Sequence, residues 1–250
     1  MKMPLKFSLG GLNVLAFSGP DGTGKTSCAN FMASLYFRNG YCVKRVWIKN
    51  VHTIAFLLTA FLGKLSPNRV VKSTSGTFVT NSMARYRKMW LWVELAGILL
   101  KILGVKAYSF MLKLCARKSI LIADRYLLDS MVHITISLML SRNENSLPLK
   151  LCDLANSLPF KILRSFLLKS TLTIFLDGEI PVLLKRNVMA NKADPYEYMV
   201  LQRRLYKELV RILGVPFVYI DTTGKSLSEV YSEASTILKE REKTKHFAIQ

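Results

Sequence analysis

The chain has 250 residues, which is long enough for one large α/β domain, and no Pro-, Gly- or Ser-rich stretch divides it. Its 36 Lys and Arg against 16 Asp and Glu give a formal net charge of +20, which favours polyanionic partners such as nucleotides. The basic residues are scattered and the 4 cysteines lie far apart, so a specific nucleic-acid interface, a cysteine metal site and a disulfide framework are not expected.

The first predicted strand, 13–17, leads directly into a glycine-rich loop that matches G-x-x-x-x-G-K-[ST], and a helical pattern follows over 25–38. The glycines let backbone N–H groups point at phosphate oxygens, and the helix adds the positive end of its dipole. We expect Lys25 to reach the β and γ phosphates and the Thr26 hydroxyl to hold Mg²⁺. The residues predicted to bind the nucleotide are Gly19, Pro20, Asp21, Gly22, Thr23, Gly24, Lys25, Thr26 and Ser27.

Four further apolar runs alternate with helical segments, at 41–48, 120–123, 171–176 and 217–220. This alternation is typical of a parallel sheet covered by helices. Between the runs, 51–64 has a helical pattern, 66–81 is predicted to be a long loop, and helices are predicted at 82–103, 106–117 and 127–140. The sequence therefore predicts an α/β protein with the three-layer P-loop NTPase fold, in which helices flank a five-stranded parallel sheet. One domain is expected over 1–250.

Polar residues follow the predicted strands, at the edge of the sheet where ligands bind in open parallel sheets. Asp124 closes the third strand and is the carboxylate expected to hold Mg²⁺ with Thr26, partly through water. Arg125 comes next and places a guanidinium where a second anion can bind. Lys49 and His52 follow the second strand. The sequence has no Ser/His/Asp set at catalytic spacing. This agrees with a phosphate acceptor, because its oxygen is already ionised and has to be bound and aligned rather than deprotonated by a general base.

A basic segment follows the fourth strand. Residues 181–186 have a helical pattern and lead into a polar stretch, so a short lid is predicted near 186–195. Lys185, Arg186 and Lys192 would offset the charge of the transferring group when the lid closes. The predicted catalytic residues are Lys25, Asp124, Arg125 and Arg186.

Together these residues resemble the thymidylate kinases and their archaeal-type relatives among the P-loop nucleoside monophosphate kinases. The resemblance covers most of the chain in order. It rests on the loop at 19–26, on Asp-Arg-Tyr at 124–126, on the Leu-Asp, Pro and Arg residues within 176–186, and on the late strand ending at 221. It implies ATP and Mg²⁺ as cofactors, transfer of the γ-phosphoryl to a nucleoside monophosphate with dTMP as leading candidate, and a homodimer.

The resemblance also implies roles. Asp21 approaches the acceptor sugar, Arg125 holds the acceptor phosphate, Arg186 belongs to the lid, and residues near Thr222 flank the adenine. The predicted acceptor site comprises Asp21, Lys49, His52, Arg125 and Tyr126. The sequence departs from the family pattern in the loop and in the acceptor site. Gly22 replaces an arginine that some members carry, 49–52 replaces an Arg-x-Pro-Gly-type loop, the region 91–103 is apolar where the family usually has an arginine that reads the thymine, and Asp129 stands where serine is common.

Two alternatives stay open. Residues 191–194 and 221–224 spell N-K-x-D and D-x-x-G, which are GTPase signatures, but their order is reversed and a helix precedes the first of them. The net charge and the apolar segments at 82–117 also fit a basic ATP-binding protein on a membrane surface or on nucleic acid, an interpretation that is not favoured.

The expected location is the cytoplasm. No apolar stretch reaches the roughly 20 residues of a membrane span. The apolar run near the N-terminus is broken by glycines and leads into the phosphate loop, so cleavage there would destroy the motif.

Overall fold

A computed structural model describes residues 14–47, 70–73, 76–79, 87–115, 118–140, 151–168, 171–191, 194–214 and 217–247. The described strands are β1 (Val14–Ser18), β2 (Cys42–Val46), β3 (Val70–Ser73), β4 (Gly76–Val79), β5 (Ser119–Asp124), β6 (Thr171–Asp177) and β7 (Phe217–Asp221). The described helices are α1 (Lys25–Arg38), α2 (Arg87–Cys115), α3 (Leu127–Leu140), α4 (Leu151–Asn156), α5 (Leu158–Leu168), α6 (Ile180–Met189), α7 (Tyr196–Leu213) and α8 (Leu227–Phe247).

Five strands form one parallel sheet in the order β2-β5-β1-β6-β7. In the central strand β1, Ala16 lies opposite Ala123 of β5 and Thr173 of β6. All of β1 is buried, as expected for a strand covered by helices on both faces. The predicted α/β class with a five-stranded parallel sheet is confirmed, and its five predicted strands correspond to β1, β2, β5, β6 and β7.

The two faces of the sheet carry separate apolar cores. On one face Leu15 and Phe17 pack with α1 and α8, and on the other Val14 and Ala16 pack with α2, α3, α4, α5 and α7. Successive side chains of a strand point to opposite faces, so one apolar run supplies both cores. The result is a three-layer arrangement in which the carboxyl ends of the five strands share one edge.

The segment predicted as a long loop at 66–81 contains an antiparallel hairpin, so that prediction is wrong over the described residues. β3 and β4 pair from Val70 opposite Val79 to Ser73 opposite Gly76. Strands of four residues are too short to show a clear two-residue period, which is why the pattern did not separate them from a loop.

The two helices predicted at 82–103 and 106–117 are one helix, α2, over the described residues. Gly104 lies in the predicted break, but a single glycine inside a helix costs only about 1 kcal/mol. Buried Leu95, Ile98 and Ile102 anchor the helix to the core. The helices predicted at 25–38 and 127–140 are confirmed with the same bounds, and the helical pattern at 51–64 lies outside the described residues.

Candidate active site

The glycine-rich loop between β1 and α1 turns back on itself at positions whose backbone conformation favours glycine. Gly19, Gly22 and Gly24 all have positive φ angles, and a Cβ on Gly19 would lie 1.9 Å from the carbonyl oxygen of Leu176. Gly24 is the N-cap of α1 and provides no side-chain cap, so the first-turn N–H groups can bind a ligand. The Thr23 hydroxyl donates to the Pro20 carbonyl at 2.9 Å and braces the turn.

Lys25 begins α1 and is only 4% exposed. Its Nζ donates to the carbonyl oxygen of Pro20 at 2.5 Å and lies 3.6 Å from Asp21 Oδ1. Burial, followed by the positive charge of Arg125, lowers the pKa of Lys25 to about 8. Bound phosphate would supply the negative charge that favours the protonated form of this lysine.

Arg125 follows the end of β5 in an unusual backbone conformation, with φ of 72°. Its N–H donates to the carbonyl oxygen of Phe17 at 3.0 Å, which fixes the turn beside β1. The guanidinium forms an ion pair with Asp21 Oδ1, the same oxygen that faces Lys25. Burial alone would lower the pKa of Arg125, but the charge of Asp21 raises it above its ordinary value. One carboxylate therefore lies between a buried lysine and a partly buried arginine.

Asp124 and Thr26 are the residues predicted to hold magnesium. Asp124 lies opposite Phe17 in the register of β5 with β1, next to the start of the loop. Its Oδ1 is buried and accepts no hydrogen bond from any described residue. Such an oxygen fits the water shell that Mg²⁺ keeps when a carboxylate holds it. Thr26 is exposed on the first turn of α1, as a metal ligand there requires.

Asp177, another acidic residue at a strand end, is unsuited to holding a metal ion. It is fully buried, and both of its oxygens are taken by donors from α7 and β7. Arg203 donates at 2.8 and 3.1 Å, Lys207 lies 3.0 Å away, and Tyr219 donates from its hydroxyl at 3.0 Å. Burial alone would raise the pKa of Asp177, but the hydrogen bonds from Arg203 and Lys207 bring it below its ordinary value.

Helix α6 packs directly on the phosphate loop. A Cβ on Gly22 would approach the Leu183 carbonyl oxygen to 2.7 Å and Asn187 Oδ1 to 3.2 Å. This contact gives a physical reason for glycine at the position where some thymidylate kinases carry arginine. An arginine at position 22 would require α6 to move.

Arg186 of α6 faces the segment after β7. Its guanidinium donates to Thr222 Oγ1 at 3.1 Å, to the Thr222 carbonyl oxygen at 2.9 Å and to the Lys225 carbonyl oxygen at 3.2 Å. It therefore lies beside the segment expected to flank adenine. The predicted lid near 186–195 begins inside α6, which continues to Met189, and Asn187 is buried. Lys192 lies outside the described residues.

The acceptor residues predicted from the sequence divide into three groups. Asp21 and Arg125 are brought together. Tyr126 is 5% exposed and packs in the core of the sheet face that carries α3 and α7. Lys49 and His52 lie outside the described residues.

Helix α7 contributes two residues to the site that the motifs did not reveal. Gln202 Oε1 accepts a hydrogen bond from the backbone N–H of Asp21 at 3.2 Å, and the Tyr206 hydroxyl donates to Asp129 Oδ1 at 2.7 Å. Helical spacing is the sequence signal that could have found these two residues, because they belong to the buried face of the helix. The residues of that face are Met199, Gln202, Leu205, Tyr206, Leu209 and Leu213. A buried glutamine among them indicates a polar partner.

No protein-family model matches the sequence, and the comparison with curated proteins gave no match. Solved structures are similar. Thymidylate kinase from Candida albicans is 15% identical, with 92% of this chain and 92% of that chain covered and a TM-score of 0.59. Deoxyadenosine kinase from M. mycoides, solved with bound dCTP, is 13% identical over 91% of this chain and 99% of that chain, with a TM-score of 0.48. The resemblance to the thymidylate kinases is thus confirmed at the level of the fold, and this chain has the three-layer fold of the P-loop kinases.

Proposed function

We propose that this chain is an ATP-dependent nucleotide kinase that transfers the γ-phosphoryl of Mg-ATP to a nucleoside monophosphate, with dTMP as the leading candidate. One observation carries the proposal: Lys25 of the phosphate loop and Arg125 of the neighbouring strand end face the same carboxylate, Asp21. Two cations that share one small site suit two phosphate groups held in line for transfer.

Each residue has a separate task in this proposal. Lys25 and the loop amides bind the donor phosphates, and Arg125 binds the acceptor phosphate. Asp21 orients the acceptor sugar. Thr26 and Asp124 would hold Mg²⁺, which supplies charge neutralisation on the transferring group. A general base is not needed, because the attacking oxygen of a monophosphate is already ionised.

We propose that residues near Thr222 flank the adenine, and that Arg186 belongs to the lid and offsets the charge of the transferring group. The hydrogen bonds from Arg186 to Thr222 support a site in which the lid arginine lies next to the adenine-binding segment. We propose in addition one kinase domain over 1–250, with a short lid near 186–195 that closes over the phosphates. The proposed location, from the sequence alone, is the cytoplasm.

The experiment is a coupled assay in which Mg-ATP is offered with each common ribonucleoside and deoxyribonucleoside monophosphate. The Candida albicans thymidylate kinase has broad substrate specificity, which supports a wide panel. We expect phosphorylation of at least one acceptor. Lys25→Ala should reduce kcat by about a hundredfold or more, because it removes a charged contact to the transferring group.

A matched control is Lys161→Ala, which removes an exposed lysine of α5. It should leave turnover unchanged. Near-normal turnover of Lys25→Ala would contradict the donor assignment, and tight ATP binding without phosphorylation of any acceptor on the panel would contradict the proposed reaction.

The structure supports the GTPase alternative less well than it supports a nucleotide kinase. Asn191, the first residue of the N-K-x-D sequence, lies in the turn after helix α6, which ends at Met189, and does not follow a strand of the sheet. A guanine-binding loop needs the strand end that presents it to the base. Preferential binding of GTP over ATP would nevertheless favour that alternative.

We also propose a homodimer that forms through an apolar face of α2. This α2 face consists of exposed apolar residues at spacings of three, four, seven and eleven positions: Trp92, Leu100, Leu103, Phe110, Met111 and Leu114. At 1.5 Å per residue it runs for about 33 Å along the helix. The six residues of this face are apolar and the exposed Lys106 lies within one turn of Leu103 and Phe110, so a second copy that covers the face buries apolar surface with a lysine at its border. None of the described helices is long and apolar enough to cross a membrane.

A further inference from the structure

A buried carboxylate outside the predicted phosphate sites joins three segments of the chain. Asp129, in the first turn of α3, is 2% exposed. Its Oδ2 accepts hydrogen bonds from Ser18 Oγ at 2.6 Å and from the Tyr126 N–H at 3.0 Å. Its Oδ1 accepts one from the Tyr206 hydroxyl at 2.7 Å. Donors from β1, from the turn before α3 and from α7 therefore converge on this one side chain.

The positions of these donors connect Asp129 to the proposed site. Ser18 ends β1 immediately before the phosphate loop, and Tyr126 directly follows Arg125. Tyr206 lies on α7, one turn after Gln202, whose Oε1 binds the N–H of Asp21. Helix α7 is therefore fixed to the phosphate loop through Gln202. Through Tyr206 and Asp129 it is also fixed to Ser18 at the end of β1.

The charge of Asp129 also acts on the two cations of the site. Burial acts to lower the pKa of both Lys25 and Arg125, and the negative charge of Asp129 is one of the charges that act to raise it; the pKa of Lys25 is lowered overall and that of Arg125 is raised. Burial raises the pKa of Tyr206 well above its ordinary value, so its hydroxyl remains a hydrogen-bond donor. A serine at position 129 would offer one oxygen without charge, in place of two oxygens that bind three donors.

We infer that Asp129 is a positioning residue that holds the phosphate loop, the turn carrying Arg125 and helix α7 in one alignment. Through Ser18 and Tyr126 it sets the distance between the donor loop and the acceptor arginine, and through Tyr206 it couples that distance to α7. This inference rests on the proposed function, since the alignment matters only where donor and acceptor phosphates meet.

Tyr206→Phe tests the inference most directly, because it removes the bridging hydroxyl and keeps the ring that packs 5.7 Å from Phe175. We expect kcat to fall by about tenfold or more while KM for ATP stays within about twofold, since misalignment slows transfer without removing a phosphate contact. Asp129→Ser should likewise lower kcat while KM for ATP stays nearly unchanged.

The matched control is Thr135→Val. Thr135 is fully buried on the same helix and donates to the Met131 carbonyl oxygen at 2.8 Å. Its replacement also removes one buried hydroxyl hydrogen bond, but away from the site. It should lower thermal stability comparably and leave kcat unchanged. A purely structural role for Asp129 would make Tyr206→Phe behave like this control.

Amide hydrogen exchange gives a readout that does not depend on turnover. In Tyr206→Phe we expect faster exchange at 19–26 and at the Arg125 N–H, which is bonded to Phe17, and no such change in Thr135→Val. If the wild type phosphorylates no acceptor, the proposed function fails. The exchange comparison alone then tests whether Asp129 couples the phosphate loop and the turn of Arg125 to helix α7. The inference is overturned if kcat of Tyr206→Phe stays within about twofold of the wild type, or if exchange matches the control.

Discussion

Among single residues, Lys25 carries the most sharply defined pH dependence. Burial and then the charge of Arg125 lower its pKa to about 8. Phosphate stabilises the charged form, so ATP binding takes up a proton wherever free Lys25 is neutral, and affinity falls as pH rises through about 8. Above that value we expect the Kd of Mg-ATP to rise by up to about tenfold per pH unit. Titration calorimetry from about pH 7 to about pH 9.5 measures this dependence.

Lys25→Ala is the control for that dependence. It should bind Mg-ATP more weakly at every pH, with a Kd that no longer changes across the same range. If the Kd of Lys25→Ala rose with pH as steeply as that of the wild type, the group that titrates would be another residue.

The residues of the site differ in how far the sequence could predict them. Lys25 and Arg125 belong to short motifs next to strand ends, so their place at one edge of the sheet follows from chain order. The contacts of Asp129 with Tyr206 and of Asp21 with Gln202 join residues 77 and 181 positions apart. No local pattern encodes such a pair, because it depends on how α7 packs across α3 and β1.

At the scale of secondary-structure elements, the close packing of α6 on the phosphate loop makes a testable prediction. Gly22 and Gly40 both have positive φ angles, 86° and 78°, but a Cβ on Gly40 would meet nothing within 4 Å. Both alanine substitutions incur the left-handed backbone penalty of about 1–2 kcal/mol. Gly22→Ala also pushes against the Leu183 carbonyl oxygen, which adds about 1–3 kcal/mol. Urea unfolding measures the difference between the two variants.

Nucleotide binding should separate the same two variants. Gly22→Ala displaces the loop or α6 and should weaken Mg-ATP binding, whereas Gly40→Ala lies after α1 and should not affect it. Equal losses of stability together with unchanged ATP binding in both variants would show that α6 does not constrain the loop.

The elements that the sequence predicted best are those with strong local signals. Helices 25–38 and 127–140 have the predicted bounds because each begins at a motif and has a regular apolar pattern. The break predicted near Gly104 is wrong because core contacts on Ile98 and Ile102 outweigh the modest cost of a glycine. The hairpin of β3 and β4 escaped prediction because its strands are stabilised by pairing with each other, which a local pattern does not show.

At the scale of the whole molecule, net charge and exposed apolar surface have opposite consequences for association. A charge of +20 opposes contact between copies, and this repulsion is screened beyond about 10 Å at 0.1 M salt. The α2 face consists of exposed apolar residues, and we expect their burial against a second copy to outweigh the repulsion that remains when salt screens the charges. Salt should therefore strengthen self-association through this face, whereas it weakens binding to an anionic surface.

Light scattering at moderate salt tests the dimer. The wild type should have twice the mass of the chain, and Leu103→Glu with Phe110→Glu should produce a monomer, because a buried unpaired carboxylate on each copy destabilises the interface. The matched control is Leu158→Glu, which replaces an exposed apolar residue of α5 and should leave the dimer intact. A monomeric wild type that binds vesicles of anionic lipid at low salt, and loses that binding in the double variant, would assign the α2 face to a membrane surface instead.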